Sequence, residues 1–351
     1  MPRISRKTNE GIVTMHDIAA RAEVSQTTVS FVLNGRTERA NISPETTERV
    51  LAAARDLGYQ RNLLARAMVT GKSRILSVLT APPHGENMAR ILTGAHEAAN
   101  QNDYLLKVQY LPTNTIDEAT IVRCLEWRLA GAMILGLEES MQDELSAKLS
   151  AWGISLVTVD NARCYENSLH VSSDNDLGIR QALEHLIGLG HTKIAFLGGR
   201  PNIISLEREQ NFRAILTESA LPVCDSWIHQ SSWSNVPVIE AAVIAILNAP
   251  EGRPSAVVCA SDTAAMVVLR VARASGLRLP TDHSVTGFTN STLSAVADPP
   301  LTTVEQPFHE MGYAAAMHLV QRAEASDSPE SAPPFMSPLL LPTRLIVRDS
   351  T

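Results

Sequence analysis

Cysteine is scarce in this 351-residue chain, and none of the four forms a CxxC pair or a Cys/His metal spacing. That excludes the sequence patterns of zinc modules and thiol redox centres. Cys124, Cys164, Cys224 and Cys259 lie far apart, which predicts buried free thiols in a reducing cytoplasm. Long apolar runs are also missing, and none approaches the roughly 20 residues of a membrane span. The first eleven residues, MPRISRKTNEG, are polar and basic and lack the apolar centre of a secretory signal. No HExxH and no G-x-S-x-G occurs, and Gly198–Gly199 after an apolar run is too short for a phosphate loop. His84, His96, His170, His185 and His191 are scattered without carboxylate spacing. These absences predict no catalytic site, no metal and no cofactor. There is no short-period repeat. No heptad tail follows Thr351, so a dimer is expected and not a tetramer built by a C-terminal coiled coil.

What is present is a globular composition, 44% hydrophobic and 19% charged, long enough for two or three compact units. The formal net charge of −7 hides an asymmetry. Residues 1–74 carry 12 Lys+Arg against 7 Asp+Glu, while the remainder carries 18 against 30. A basic head on an acidic body predicts that the head alone meets phosphate.

Residues 14–34, TMHDIAARAEVSQTTVSFVLN, read as two short helices joined by a tight turn. Thr14 caps the first, with Asp17 as its capping-box partner. Ile18, Ala19 and Ala22 form its apolar face, and Val24 plugs the turn. Ser25 caps the second helix, whose buried face is Val29, Val32 and Leu33. Its other face offers Gln26, Thr27, Thr28, Ser30 and Phe31, followed by Asn34. Such short, polar or flat side chains can reach base edges in a major groove. An ordinary helical hairpin is the alternative. In the next segment Ser43 caps, Pro44 and Glu45 open a helix, Val50, Leu51, Ala54 and Leu57 make its stripe, and Gly58 ends it. Asn62 caps a further short stretch through Met68.

These pieces, in this order, resemble the lactose-repressor (LacI/GalR) family of bacterial transcription regulators. The matching motifs are T-M-x-D-I-A, V-S-x-T-T-V-S-x-V-L-N, S-P-E-T-x-E-R-V, L-G-Y and N-x-L-A-R-A. The resemblance implies a helix-turn-helix head over 1–60, a hinge helix and linker over 61–74, and an effector-binding and dimerising body over 75–351. It also implies that Asn62, Arg66 and Met68 contact DNA, with Met68 as a minor-groove wedge. One departure is Glu23, where the family commonly has glycine. A non-glycine residue at positive φ costs about 1 kcal/mol there.

From residue 75 onward, strand-length apolar runs at 75–79, 104–110, 131–135, 155–159, 193–197, 256–260 and 284–288 alternate with helical stretches such as 88–101, 174–189 and 262–275. That alternation predicts an α/β body with parallel sheets. The resemblance continues through D-N-x-x-G (Asp174, Asn175, Gly178), H-L-x-x-L-G-H, I-A-F-L-G-G, A-S-D-x-A-A, P-L-T-T-V-x-Q-P and L-P-T-R-L-I-V-R-D-S-T. It implies a periplasmic-binding-protein-like body of two α/β subdomains around a ligand cleft. The first is expected at about 75–171 and 300–324, the second at about 172–297 and 338–351. Crossings are expected near 171, near 297 and in or near the loop 324–338.

The resemblance also places Asp174, Arg208 and Trp233 against a small effector, with Thr289 at the strand end where the family has an aspartate. Asp174 is equally readable as a helix cap, Arg208 as a solvated helix charge, Trp233 as a core aromatic, and Asp262 as a cap. Loss of the aspartate at 289 argues against a plain neutral sugar and for a different or anionic ligand, or none. The implied function is a cytoplasmic, sequence-specific DNA-binding regulator, a repressor. It would bind a palindromic double-stranded operator as a homodimer and respond to a carbohydrate-related effector. A periplasmic-type solute receptor is the alternative, against which stand the basic head and the missing signal. A hydrolase or kinase is the enzymatic rival, and it lacks its nucleophile turn or phosphate loop.

Overall fold

The computed structural model describes residues 13–33, 37, 40–59, 73–82, 85–111, 121, 122, 124, 126–160, 163–166, 168–325 and 338–351. The chain divides into two compact units, Met1–Val69 and Thr70–Thr351.

The first unit contains α1 (Met15–Ala22), α2 (Gln26–Leu33) and α3 (Pro44–Asp56). Each starts on a local signal. The Asp17 carboxylate accepts from the Thr14 N–H and hydroxyl (2.8 and 2.7 Å). Ser25 Oγ accepts from Thr28 N–H at 3.0 Å, and Ser43 Oγ from Thr46 N–H at 3.1 Å. The apolar faces meet in one small core around Ile18, Val29 and Val50, with Val24 and Leu57 packed against it. One stripe residue is corrected: Leu51 is 40% exposed and Ala53 is buried in its place. On a 13-residue helix, positions 50, 53, 54 and 57 share a face, and 51 falls to its side.

Among the described residues, the second unit holds two six-stranded sheets. Strands β1 (Ile75–Thr80), β2 (Leu105–Tyr110), β3 (Gly131–Leu135), β4 (Leu156–Val159), β5 (Ser168–Ser173) and β11 (Leu339–Leu341) form the first, in the order β11-β5-β4-β3-β1-β2. The second runs β12-β10-β9-β8-β6-β7, from β6 (Ile194–Leu197), β7 (Ile228–His229), β8 (Ala256–Cys259), β9 (Ser284–Thr289), β10 (Thr302–Glu305) and β12 (Arg344–Ile346). All pairings are parallel except β10 with β12. Helices α4 (Glu86–Gln101), α5 (Glu139–Ala151) and α10 (Phe308–Ala325) belong to the first subdomain. Helices α6 (Asn175–Gly188), α7 (Ile203–Glu218), α8 (Val236–Leu247) and α9 (Asp262–Ala274) belong to the second. Helices on both faces explain strands such as β1 and β3 that are buried throughout.

The expected subdomain limits need correction. Thr302–Glu305 pairs with β9 and β12 in the second sheet, so the crossing lies at 306–307, not near 297. Phe308 is the first side chain back in the first core. Leu339–Leu341 pairs with β5 in the first sheet before Arg344–Ile346 joins the second, so the last crossing is at 342–343, beyond the loop 324–338. Low-complexity composition marks a surface connection and says nothing of which sheet each end joins. The expected linker 61–74 is also too long at its end. Ser73 hydroxyl donates to the Arg128 carbonyl, and Arg74 donates to the Asn102 carbonyl and sits over the Tyr104 ring, so both belong to the body. Of the four thiols, Cys124 and Cys259 are buried, Cys224 is half-buried and Cys164 is exposed in the loop after β4, so the expectation of four buried thiols fails for the last two.

Strand β5, SLHVSS, alternates polar residues with Leu169 and Val171, which would leave one face in water, yet it is buried throughout. Its polar groups are hydrogen-bonded: Ser168 hydroxyl to the Tyr165 carbonyl, and His170 Nδ1 with Thr158 Oγ1 at 3.0 Å. Burial pushes His170 down to about 4, and does the same to His283, whose Nδ1–H donates to the Pro254 carbonyl. An unfolded chain protonates both histidines near 6.5. The folded chain then binds fewer protons between about 6.5 and 4, so these residues cost stability as the pH falls through that window. Urea midpoints should drop from pH 7 to pH 5, and the slope should be shallower in His283→Gln. Parallel slopes would remove His283 from this account.

Candidate DNA-reading face and ligand cleft

In the head, Glu23 adopts the left-handed conformation (φ 53, ψ 45). Beside it, Arg49 of α3 donates from Nε to the Ala22 carbonyl at the end of α1 (3.0 Å). Turn and third helix are thereby fastened together beneath α2. With Val29, Val32 and Leu33 buried, Gln26 and Thr27 are exposed and Thr28, Ser30 and Phe31 half-buried on the remaining faces of α2. Thr14, Ser25 and Thr28 all take part in helix caps. Ser25 and Thr28 also share a hydroxyl–hydroxyl bond of 2.9 Å. Asn34, Asn62, Arg66 and Met68 lie outside the described residues.

In the body, Asp174 follows β5, Thr289 ends β9 and Trp233 lies beyond β7, near carboxyl ends of strands where open α/β sheets take ligands, whereas Arg208 sits within α7. Asp174 Oδ1 accepts from Leu177 N–H (2.9 Å), the N-cap of α6. Arg208, on α7, is only 3% exposed, which excludes a solvated helix charge. It donates from Nε to Asn175 Oδ1 (2.8 Å) and from Nη1 to the Ala260 carbonyl (2.7 Å). Its guanidinium lies 3.7 Å from the centre of the Phe288 ring. Asn175 Nδ2 in turn donates to Glu207 (2.7 Å). Burial lowers Arg208 to about 10, opposed by the charges of Asp160 and Glu207, so it stays cationic at neutral pH. Asp160 follows β4 of the first subdomain, so this charge interaction runs between the subdomains.

The D-N-x-x-G motif now has a physical division of labour. Asp174 caps, Asn175 holds Arg208, and a Cβ at Gly178 would sit 2.7 Å from Phe288 Cζ, the ring on which Arg208 stacks. Asn175 stood in the quoted motif, yet its role needed the contact with α7, 33 residues on.

Trp233 is half-buried and lies against the backbone of Gly199, where any Cβ would collide with the indole. Gly198 makes the same room for Gln230, which accepts from Ser205 hydroxyl (2.5 Å) and donates to Glu209 (2.6 Å). Trp233 also packs against the core that contains Phe196, Phe212 and Phe288. Thr289 has φ 142 and Asn290 φ 51, unusual for a β-branched residue and its neighbour. The turn is held by Asn290, bonded to Glu305 (2.9 Å) and Arg348 (2.8 Å). Asp262 is structural: it accepts from Ser291 N–H (2.7 Å) and Thr303 hydroxyl (2.5 Å), while Ser261 caps α9. Among the described residues no cluster of His, Cys, Asp and Glu could hold a metal ion, and no helix is long and apolar enough to cross a membrane.

A helix-turn-helix head joined to a body of two α/β subdomains defines a class, the DNA-binding transcription regulators with a periplasmic-binding-protein-like domain. The chain belongs to the lacI family of bacterial regulatory proteins. Residues 14–62 match that family, and residues 183–351 match the periplasmic binding protein-like domain. It is 32% identical over 345 residues to the HTH-type transcriptional regulator MalR of Streptomyces coelicolor, covering 95% of each chain. It is 29% identical over 341 residues to catabolite control protein A of Priestia megaterium, covering 97% of this chain and 99% of the relative. Among solved structures it resembles a CelR–cellobiose complex (28% identity, TM-score 0.67, 97% and 100% coverage). It shares its fold with a lac repressor dimer bound to operator and the anti-inducer ONPF (24% identity, TM-score 0.76, 97% and 99% coverage). These relatives are regulators of transcription, not enzymes.

Proposed function

We propose that this regulator is a repressor that binds a palindromic operator as a homodimer in the cytoplasm, and that a small carbohydrate-related effector in the cleft sets its operator affinity. The observation that carries the DNA half is the fastened turn, which leaves Gln26, Thr27 and Phe31 on the outward faces of a helix anchored by Val29 and Val32. Gln26 would pair bidentately with adenine, and Phe31 would meet a thymine methyl. Thr14, Ser25, Thr28, Ser30, Asn34, Asn62, Arg66 and Met68 complete the proposed DNA contacts, Met68 as the wedge.

The cleft half rests on Asp174, Arg208, Trp233 and Thr289. Arg208 already faces two carboxylates, Asp160 and Glu207. A further anion would add to an excess of negative charge, so a neutral polyhydroxyl ligand fits better than the acidic one suggested by Thr289 alone. The complex of a related regulator with cellobiose agrees with that choice. Self-association is supported by Leu293 (62% exposed) and Val296 (75% exposed) near the end of β9, and by Leu105 and Tyr110 on the edge strand β2.

Gel-shift titration against fragments from the gene's own neighbourhood tests the reading. Gln26→Ala should lower operator affinity by about 1–3 kcal/mol and relax preference at one position per half-site. Binding to random DNA should be unchanged. Equal loss on operator and random sequence would refute the base-reading role.

A further inference from the structure

Among the described residues, and besides the longer-range attraction between Arg208 and Asp160, two hydrogen-bonded contacts away from the crossings join the subdomains. The Glu138 carboxylate, between β3 and α5, accepts from both terminal nitrogens of Arg200, which follows β6 (2.9 and 3.3 Å). Glu86, the first residue of α4 beyond β1, accepts through Oε2 from the backbone N–H of Thr292, beyond β9 (2.9 Å). Both are bonds between protein atoms and need no bridging molecule. The Thr292 N–H, with Arg90 at 3.0 Å, holds the Glu86 carboxyl below its usual range, so it is ionised at neutral pH.

Topology gives these bonds leverage. The three crossings, at 173–174, 306–307 and 342–343, attach to β5, β10, β11 and β12, which lie along one edge of the two sheets. Strands β3 and β1 stand two and three places in from β5. At normal strand spacing those are arms of about 10 and 14 Å. On the second sheet the contacts leave β6 and β9, on either side of β8. Rotation that opens the cleft about the crossing edge must therefore break both, and closing it must form both.

We infer that Glu138–Arg200 and Glu86–Thr292 are paired latches of a single two-state closure of the body. Each latch shares its turn with a proposed effector side chain. Arg200 follows Gly199, on which Trp233 lies, and Thr292 stands three residues after Thr289. A ligand that shifts either turn acts on a latch. As a control on operator binding this rests on the effector reading above, whereas the closure itself does not. Solvent-exposed pairs of this kind are individually weak, which keeps the closure reversible.

The latches can be tested against each other by amide exchange in the full-length protein at neutral pH, without any effector. Breaking one should be felt at the other. Glu138→Gln and Arg200→Gln should each speed exchange of the Thr292 amide by about two- to fivefold, as expected for a weak exposed pair. Neither residue bonds Thr292. The charge-swapped double variant, Glu138→Arg with Arg200→Glu, should return the rate to that of the parent. The core amide of Val257 in β8 should not change. An unchanged Thr292 rate in both single variants would overturn the inference, because the contacts would then be independent. Equal acceleration at Val257 would overturn it too, since that reports loss of stability and not opening. Failure to rescue by the swapped pair would likewise count against a latch made by the ion pair.

Discussion

Gly312→Ala is expected to be, with Gly94→Ala, among the most damaging glycine-to-alanine changes in the body. Helices α4 and α10 touch backbone to backbone at two reciprocal points. A Cβ on Gly312 would collide with the Ile91 carbonyl oxygen, and one on Gly94 with the His309 carbonyl oxygen. Helix propensity alone favours alanine over glycine by about 1 kcal/mol. Here that gain is outweighed, because the obstacle is main chain and cannot rotate away. The helices must separate, and Phe308, Met311, Ala315 and Leu319 lose packing in the first core. The flanking bonds, His309 to Glu97 and Tyr313 hydroxyl to Gln101, would stretch as well. Overpacking of this kind costs about 3 kcal/mol or somewhat more. Gly188→Ala, at the end of α6 with open space around it, is the matched control and should be neutral or stabilising. Thermal and urea midpoints should fall in Gly312→Ala and stay level or rise in Gly188→Ala. A Gly312→Ala protein as stable as its parent would mean that the helices do not meet as described.

Arg208→Met should destabilise the body and abolish effector response together. The substitution keeps apolar length against Phe288 but removes two donors. Asn175 Oδ1 and the Ala260 carbonyl lose their partners, and Asp160 and Glu207 lose the charge they face. Breaking a buried, charged hydrogen-bonded group in this way costs about 3 kcal/mol. Arg208→Lys should recover part of the stability, through charge, but not the fork geometry that serves Asn175 and Ala260. The head has its own core, so operator binding should persist below the melting point of the variant body. Calorimetry paired with operator titration, with and without a panel of neutral and acidic sugars, reads both consequences. Normal stability with a retained response in Arg208→Met would dismiss the arginine as the hub of the cleft.

The two outcomes differ in how far they could be seen in advance. Arg208 was legible as a candidate through resemblance, but its stabilising role was not. Its partners stand at 175 and 260, and only the packing of α7 beside α6, over the face of β6 and β8, brings them together. Gly94 and Gly312 gave no signal at all, since each looks like an unfavourable helix residue until the other helix is in place. The cross-cleft bonds are of the same kind: Glu138 and Arg200 are 62 residues apart, Glu86 and Thr292 206.

By itself the sequence determined the head and the class of the body. Thr14 with Asp17, Ser25 with Thr28, and Ser43 with Thr46 close within three residues, so their bonds depend only on local backbone geometry. The apolar spacing of Ile18–Ala22 and Val29–Leu33 fixes which face turns inward. Alternating strand and helix runs likewise required parallel sheets. Only the tertiary structure decided which sheet receives Thr302–Glu305, Leu339–Leu341 and Arg344–Ile346. Strands of three or four residues carry too little periodicity to choose a neighbour. Their place is settled by backbone pairing with strands already set, and so, with it, is the edge about which the cleft turns.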